Sequence, residues 1–173
     1  MTKQPRLRQI MCAELILLKE GKVFWKARQN SSFLNGFWAL PAGHLEGEET
    51  VIDAALRELK EEAGVSTFKK YLKLVHFQTQ IGTDGVRNHV YFEVTKWIGE
   101  PRNAEPRKAS LVAWMDPLKE KRKQYVPSEL LALKCIAKGE SYSEYDYREY
   151  IEKQKKLADK SSRAKSKDPI HKI

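Results

Sequence analysis

The sequence predicts an α/β (α+β) fold, a three-layer αβα sandwich, from three observations. Apolar-rich extended runs meet at explicit turn signals, two segments carry helix start and stop signals, and the chain mixes strands with helices on either side. The chain has 173 residues, 41% of them hydrophobic, which suits one domain with a single core.

The elements follow in order. Leu7 to Leu18 is an apolar-rich strand ending at Lys19-Glu20-Gly21-Lys22, and it pairs with Val23 to Ala27 as a hairpin. Phe37 to Leu40 is a short strand that leads through Pro41-Ala42-Gly43 toward a helix over Val51 to Ala63. Thr50 serves as that helix's N-cap and Gly64 as its left-handed end. Leu72 to Ile81 and Val86 to Trp97 flank the turn Gly82-Thr83-Asp84-Gly85. Leu111 to Met115 adds a strand, and Pro127 opens a second helix over Ser128 to Ala137, closed at Gly139. Residues 1–147 form the domain, and 148–173 form a basic extension, partly helical or disordered.

The first helix carries the chemistry. At 100° per residue, Val51, Ile52, Ala55, Leu56, Leu59 and Ala63 share the core-facing arc. Glu58, Glu61 and Glu62 fall on the adjoining arc, at the boundary between core and solvent, whereas Asp53 and Lys60 project to the far side. Glu48 and Glu49 enter the same neighbourhood, and Arg57, which pairs with Glu61 one turn on, cannot neutralise five carboxylates alone. Clustered carboxylate oxygens suit a hard divalent cation that also bridges to phosphates. Glycines at both ends and the edge-of-core placement set this pattern apart from an ordinary solvated acidic face.

The run Gly43 to Val65, of the form G-x5-E-x7-R-E-L-x-E-E-x-G-V, is similar position for position to the signature of the Nudix hydrolases. Val23 to Arg28, Asn35 to Trp38, Leu40 to His44 and Trp97 to Pro101 resemble the MutT-like branch, so the resemblance covers roughly residues 8 to 147. It implies a Nudix-type αβα sandwich with a mixed central sheet. It also implies a Mg²⁺ site, with Mn²⁺ as a substitute, made by Glu58, Glu61, Glu62, the Gly43 carbonyl and Glu105. Glu61, Glu105 and Arg57 take catalytic roles, Glu105 activating water and Arg57 orienting a glutamate with Glu49 as partner. The absence of a side chain at Gly43 suits close backbone approach to a cation.

Substrate contacts are expected from Arg28, Phe37 and Trp38, with Phe33 as a further stacking candidate and His44 and His76 as cleft-lining candidates outside the catalytic set. The implied activity is Mg²⁺-dependent hydrolysis of a pyrophosphate linkage in a nucleoside triphosphate or related nucleoside diphosphate derivative. A triphosphate would yield a monophosphate and pyrophosphate. ADP-ribose or nucleotide-sugar hydrolysis is the alternative within enzymes, and a non-catalytic nucleotide sensor or RNA-binding protein is the alternative outside them. Two departures limit the likeness. Gly47 stands one place earlier than in the commoner loop form, and Gln124-Tyr125-Val126-Pro127-Ser128 lacks the Asn that MutT enzymes place before the last helix to select oxidised guanine.

The remaining composition excludes other classes. No apolar run reaches the ~20 residues of a membrane span, and Glu14 interrupts the apolar stretch near the N-terminus, against a signal peptide. Cys12 and Cys135 have no metal-ligand spacing and read as plain thiols of a reducing, cytoplasmic setting. Residues 153–173 hold eight Lys or Arg against two Asp, six of the chain's net +9. Without aromatic residues, that tail is expected to be a solvated helical extension fraying into disorder, with nucleic-acid contact a lesser option.

Overall fold

The computed structural model describes residues 9–120 and 122–165 and is an α+β sandwich built on a mixed sheet of eight strands. The strands are β1 (Ile10–Lys19), β2 (Lys22–Arg28), β3 (Trp38–Ala39), β4 (Ala42–His44), β5 (Leu72–Gly82), β6 (Gly85–Val94), β7 (Ala109–Met115) and β8 (Tyr142–Asp146). The helices are α1 (Val51–Ala63), α2 (Pro127–Ala137) and α3 (Tyr147–Lys165).

The main path runs β3-β2-β1-β6-β5-β8, with β4 paired to β1 and β7 to β2. β1 and β6 are parallel, as are β5 and β8, while the β1–β2 and β5–β6 hairpins are antiparallel. β1 therefore has three partners: β6 along its length, β4 at Cys12 to Glu14 and β2 at its end.

Side-chain alternation divides the sheet's two faces. Ala13, Leu15, Leu17, Val90, Phe92 and Val94 form one core with Ala54, Ala55, Leu59 and Ala63 of α1. Ile16, Trp25, Trp38, Leu40, Tyr91 and Ala132 of α2 build the second core on the other side. That second face is apolar only at one end. At the other it carries Cys12, Glu14, Gln78, Gln80, Arg87 and His89, brought level by the register Cys12↔His89, Gln78↔His89 and Gln80↔Arg87.

α1 has the expected limits. The Thr50 side chain accepts from the Asp53 N–H while Asp53 accepts from the Thr50 N–H, and Gly64 ends the helix at φ 67°. The apolar arc is displaced, however: Ala54 is fully buried, whereas Val51 and Ile52 are only partly so. The glutamates also differ from the expected boundary row, since Glu58 and Glu62 are buried while Glu61 is exposed.

Two short strands were not expected. β4 forms where a loop was read, and β8 adds an edge to β5 just before α3. The extension is helical through Lys165, longer than expected, while the fraying expected at its end falls on residues 166–173, outside those described, as do Leu7 and Arg8. Cys12 and Cys135 are free and buried. Among the described residues no helix is long and apolar enough to cross a membrane.

Candidate active site

Arg57 organises the acidic face of α1. Its Nε donates to Glu49 Oε1 (2.8 Å) and Nη2 to Glu49 Oε2 (3.1 Å), a two-pronged grip on the loop that precedes the helix. Nη2 also reaches the His44 carbonyl (3.0 Å). Nη1 donates to Glu58 Oε1 (2.6 Å) and Glu61 Oε2 (3.2 Å). Helical spacing places Arg57 and Glu61 on adjacent turns, and this one guanidinium thereby fixes β4, the loop and two glutamates together.

Gly43 faces α1 from β4. A Cβ there would overlap the Glu58 carboxylate, so the glycine is required by the helix side chain lying across its backbone. Burial pushes the Glu58 carboxyl up to about 7, against the bond from Arg57, and repulsion from Glu62 and Glu61 adds to the rise. Glu62 accepts the Ala42 N–H (2.8 Å) and forms an ion pair with Lys26 from β2. Burial also raises its carboxyl, opposed by Lys26.

Glu105 arrives from a loop more than forty residues downstream in sequence. That loop is tied to the end of α1, where the Arg102 N–H donates to the Ala63 carbonyl (2.9 Å) and the Ala104 N–H to the Glu62 carbonyl (3.3 Å). These bonds satisfy carbonyls that a helix end leaves open. Glu105 Oε1 pairs with Lys108 Nζ at 2.9 Å, while Oε2 is buried with no partner among the described residues. Repulsion from Glu105 is one of the influences raising Glu62.

Carboxylates and a backbone carbonyl are the oxygen donors that a hard divalent cation takes, and the buried, unpaired Glu105 Oε2 fits such a role. No three acidic, His or Cys side chains of the described residues converge on one point as they stand. Each carboxylate is instead matched to a base: Glu49, Glu58 and Glu61 to Arg57, Glu62 to Lys26, and Glu105 to Lys108. The Lys108 side chain is 69% exposed and the Glu61 side chain 48%, so both can reorient at small cost.

Beside β4 opens a cleft of about 660 Å³. Gly43, His44, Lys26 and Arg28 line it near the carboxylates, and Phe33 and Tyr147 stand at its edge with ring centroids 4.9 Å apart. Arg28 is held by its own loop, donating to Ser31 Oγ (2.8 Å) and the Phe33 carbonyl (3.1 Å).

The aromatic residues sort differently from the sequence expectation. Trp38 lies in the second core, 8% exposed, packed with Tyr125, to whose backbone it is bridged, and neither it nor Phe37 lines the cleft. His44 lines the cleft, with its imidazole held low by burial and by Arg87. His76 is structural, between the Glu140 carbonyl and Ser143 Oγ. Sequence reasoning missed Glu14, Lys26, His89 and Glu129 as lining residues. An ionisable side chain inside the apolar run Cys12 to Leu18 was the available signal for Glu14.

Comparison with known proteins gives one consistent pattern. The NUDIX domain model matches residues 9–133. An 8-oxo-dGTP diphosphatase of Proteus vulgaris is 34% identical over 93 residues, 52% of this chain and 79% of that protein. Phosphatase NudJ of Escherichia coli K12 is 47% identical over 45 residues, 25% of this chain and 29% of that protein, so the chain spans under a third of its length. Among solved structures, a MutT NUDIX hydrolase of Burkholderia pseudomallei superposes with a TM-score of 0.62 at 19% identity, covering 76% of this chain and 98% of that one.

Proposed function

The chain belongs to the Nudix family of hydrolases, and from that premise we propose that it cleaves a pyrophosphate linkage in a nucleoside triphosphate or related nucleoside diphosphate derivative, using Mg²⁺, with Mn²⁺ as a substitute. The observation that carries this reading is the Glu105 loop, fastened to the end of α1 with one buried carboxylate oxygen left unpaired beside Glu62.

Glu58, Glu61, Glu105 and the Gly43 carbonyl are the proposed metal donors. Glu62 would be available as a further donor if Lys26, its present ion-pair partner, paired with a phosphate instead. When bound, the cation neutralises the diphosphate oxygens and acidifies a water molecule. Arg57 keeps Glu58 and Glu61 in place through one bond to each, while two bonds to Glu49 anchor the guanidinium itself. Glu105 also takes the proton of the attacking water, through the carboxylate oxygen that the cation leaves free. Lys26 and Arg28 face the phosphates as positive charges. The stacking role expected of Phe37 and Trp38 passes to Phe33 and Tyr147, whose rings border the cleft.

The test is a magnesium assay on nucleoside triphosphates, ADP-ribose, dinucleoside polyphosphates and capped or triphosphorylated RNA, with products identified by mass. Monophosphate plus pyrophosphate from a triphosphate supports the leading reading, and preferential ADP-ribose cleavage moves the assignment to the nucleotide-sugar alternative. Binding without turnover on any of these supports a sensor and contradicts the proposal.

A further inference from the structure

The cleft floor contains polar atoms that the fold leaves unsatisfied. Glu14 is 4% exposed; its Oε1 accepts from His89 Nδ1 at 2.8 Å, and its Oε2 is buried with no partner among the described residues. With Nδ1–H committed to Glu14, a neutral imidazole presents Nε2 as a lone pair, and Nε2 too is buried and unpartnered. Arg87 Nε stands in the same condition, while its Nη2 donates to Asp84 Oδ2 at 2.5 Å. Buried polar groups are overwhelmingly hydrogen-bonded in folded proteins. Three exceptions on the neighbouring strands β1 and β6, all from residues lining one cleft, point to a ligand.

The arrangement also states what the ligand offers. Taken as the Nδ1–H tautomer matched to Glu14, His89 offers Nε2 as an acceptor beside Glu14 Oε2, and Arg87 Nε is a donor. Glu129 adds a second carboxyl from α2, fixed by the Leu40 N–H at 2.6 Å and raised by burial and by Glu14. A uracil edge places one N–H between two carbonyls, and adenine and cytosine edges set an amino group beside a bare ring nitrogen. Each of these turns an acceptor toward acceptors. An amide N–H beside an exocyclic amino group, with a carbonyl on the other side, offers two donors and one acceptor in the matching sense.

We propose that Glu14 and His89 are a specificity-determining pair that reads the substrate's heterocycle and selects this guanine-type edge, with Arg87 Nε taking its carbonyl. The inference rests on the nucleotide reading above. Phe33 and Tyr147, at the cleft's edge, supply the aromatic wall against which such a ring lies.

The test is calorimetric titration of the full chain in EDTA with GTP, ITP and ATP. ITP differs from GTP only by lacking the exocyclic amino group. GTP is expected to bind on the order of tenfold tighter than ITP, since a lost hydrogen bond to a buried carboxylate carries at least that factor. In Glu14→Gln the GTP-to-ITP ratio should fall toward one, and the ratio rather than either absolute affinity is the readout. If Glu14→Gln does not fold, the wild-type ratio and His89→Gln, which should also compress it, decide the matter. Equal wild-type affinity for GTP and ITP, no binding of either, or a folded Glu14→Gln that keeps the full preference overturns the assignment. Because metal is absent, a guanine preference without magnesium-dependent turnover would count against the hydrolysis reading alone, and turnover without preference against this inference alone.

Discussion

Two acidic clusters lie on opposite sides of the same strands, and they are neutralised in different ways. On the α1 side, Glu49, Glu58, Glu61, Glu62 and Glu105 are each matched to Arg57, Lys26 or Lys108. On the cleft floor, Glu14 and Glu129 are held by an imidazole and a backbone N–H, with no Lys or Arg of the described residues bonded to them. The first cluster is balanced by charged side chains, of which Arg57 and Lys26 are held in place while Lys108 is exposed and able to move aside. The second is balanced by directed hydrogen bonds with atoms left over, which a ligand of matching pattern completes. On the proposed reading, charge density would serve the phosphates and bond direction the base.

The comparison is broken most forcefully at the carboxylates. Glu61→Gln and Glu105→Gln should each lower magnesium-dependent turnover by orders of magnitude, about 10²-fold or more for Glu105 if it is the base. Circular dichroism should stay unchanged, and wild-type rates in either variant would remove that residue from the site. Gly43→Ala comes next. Its methyl group displaces the Glu58 carboxylate, and a loss of about 10–100-fold in metal affinity or activity is expected.

Lys26→Met tests the charge balance through stability. It leaves Glu62 buried without its cation and should cost about 3 kcal/mol by urea unfolding. An unchanged midpoint would show that Glu62 does not depend on Lys26.

The pH response follows from Glu58, whose carboxyl burial pushes up to about 7 from the 4.5 of an unfolded chain. The fold therefore retains a proton that the unfolded chain releases. This contribution is fully present below about 4.5 and lost as pH rises to about 7. Melting temperature in EDTA should fall between pH 5 and 8, less steeply in Glu58→Gln or with saturating Mg²⁺. Identical slopes for all three would contradict the burial argument. The smallest effect is expected from removing residues 153–173, which should leave small-nucleotide hydrolysis nearly intact; a large loss would place the basic extension in the reaction.

Most of the α1 side was legible in the sequence because its signals are local. Thr50, Asp53 and Gly64 fix the helix ends, and the spacing of Arg57 and Glu61 fixes their contact one turn apart. The burial of Glu58 and Glu62 was not legible, since it depends on β4 closing over them, and a three-residue strand carries too little pattern to identify. The cleft floor was harder to see. Glu14 and His89 are 75 positions apart and meet only through parallel pairing of β1 with β6. Trp38 lies in the second core, a placement not legible beforehand because an aromatic residue next to a signature loop reads the same whether it stacks on substrate or on core.

The central claim is that α1 and the Glu105 loop together hold a divalent cation. Anomalous diffraction from a crystal soaked in Mn²⁺ tests it most directly. The account predicts a peak among Glu58, Glu61, Glu105 and the Gly43 carbonyl, with Lys108 swung away from Glu105. A map with no peak there, and with the carboxylates still on Arg57 and Lys108, would contradict it.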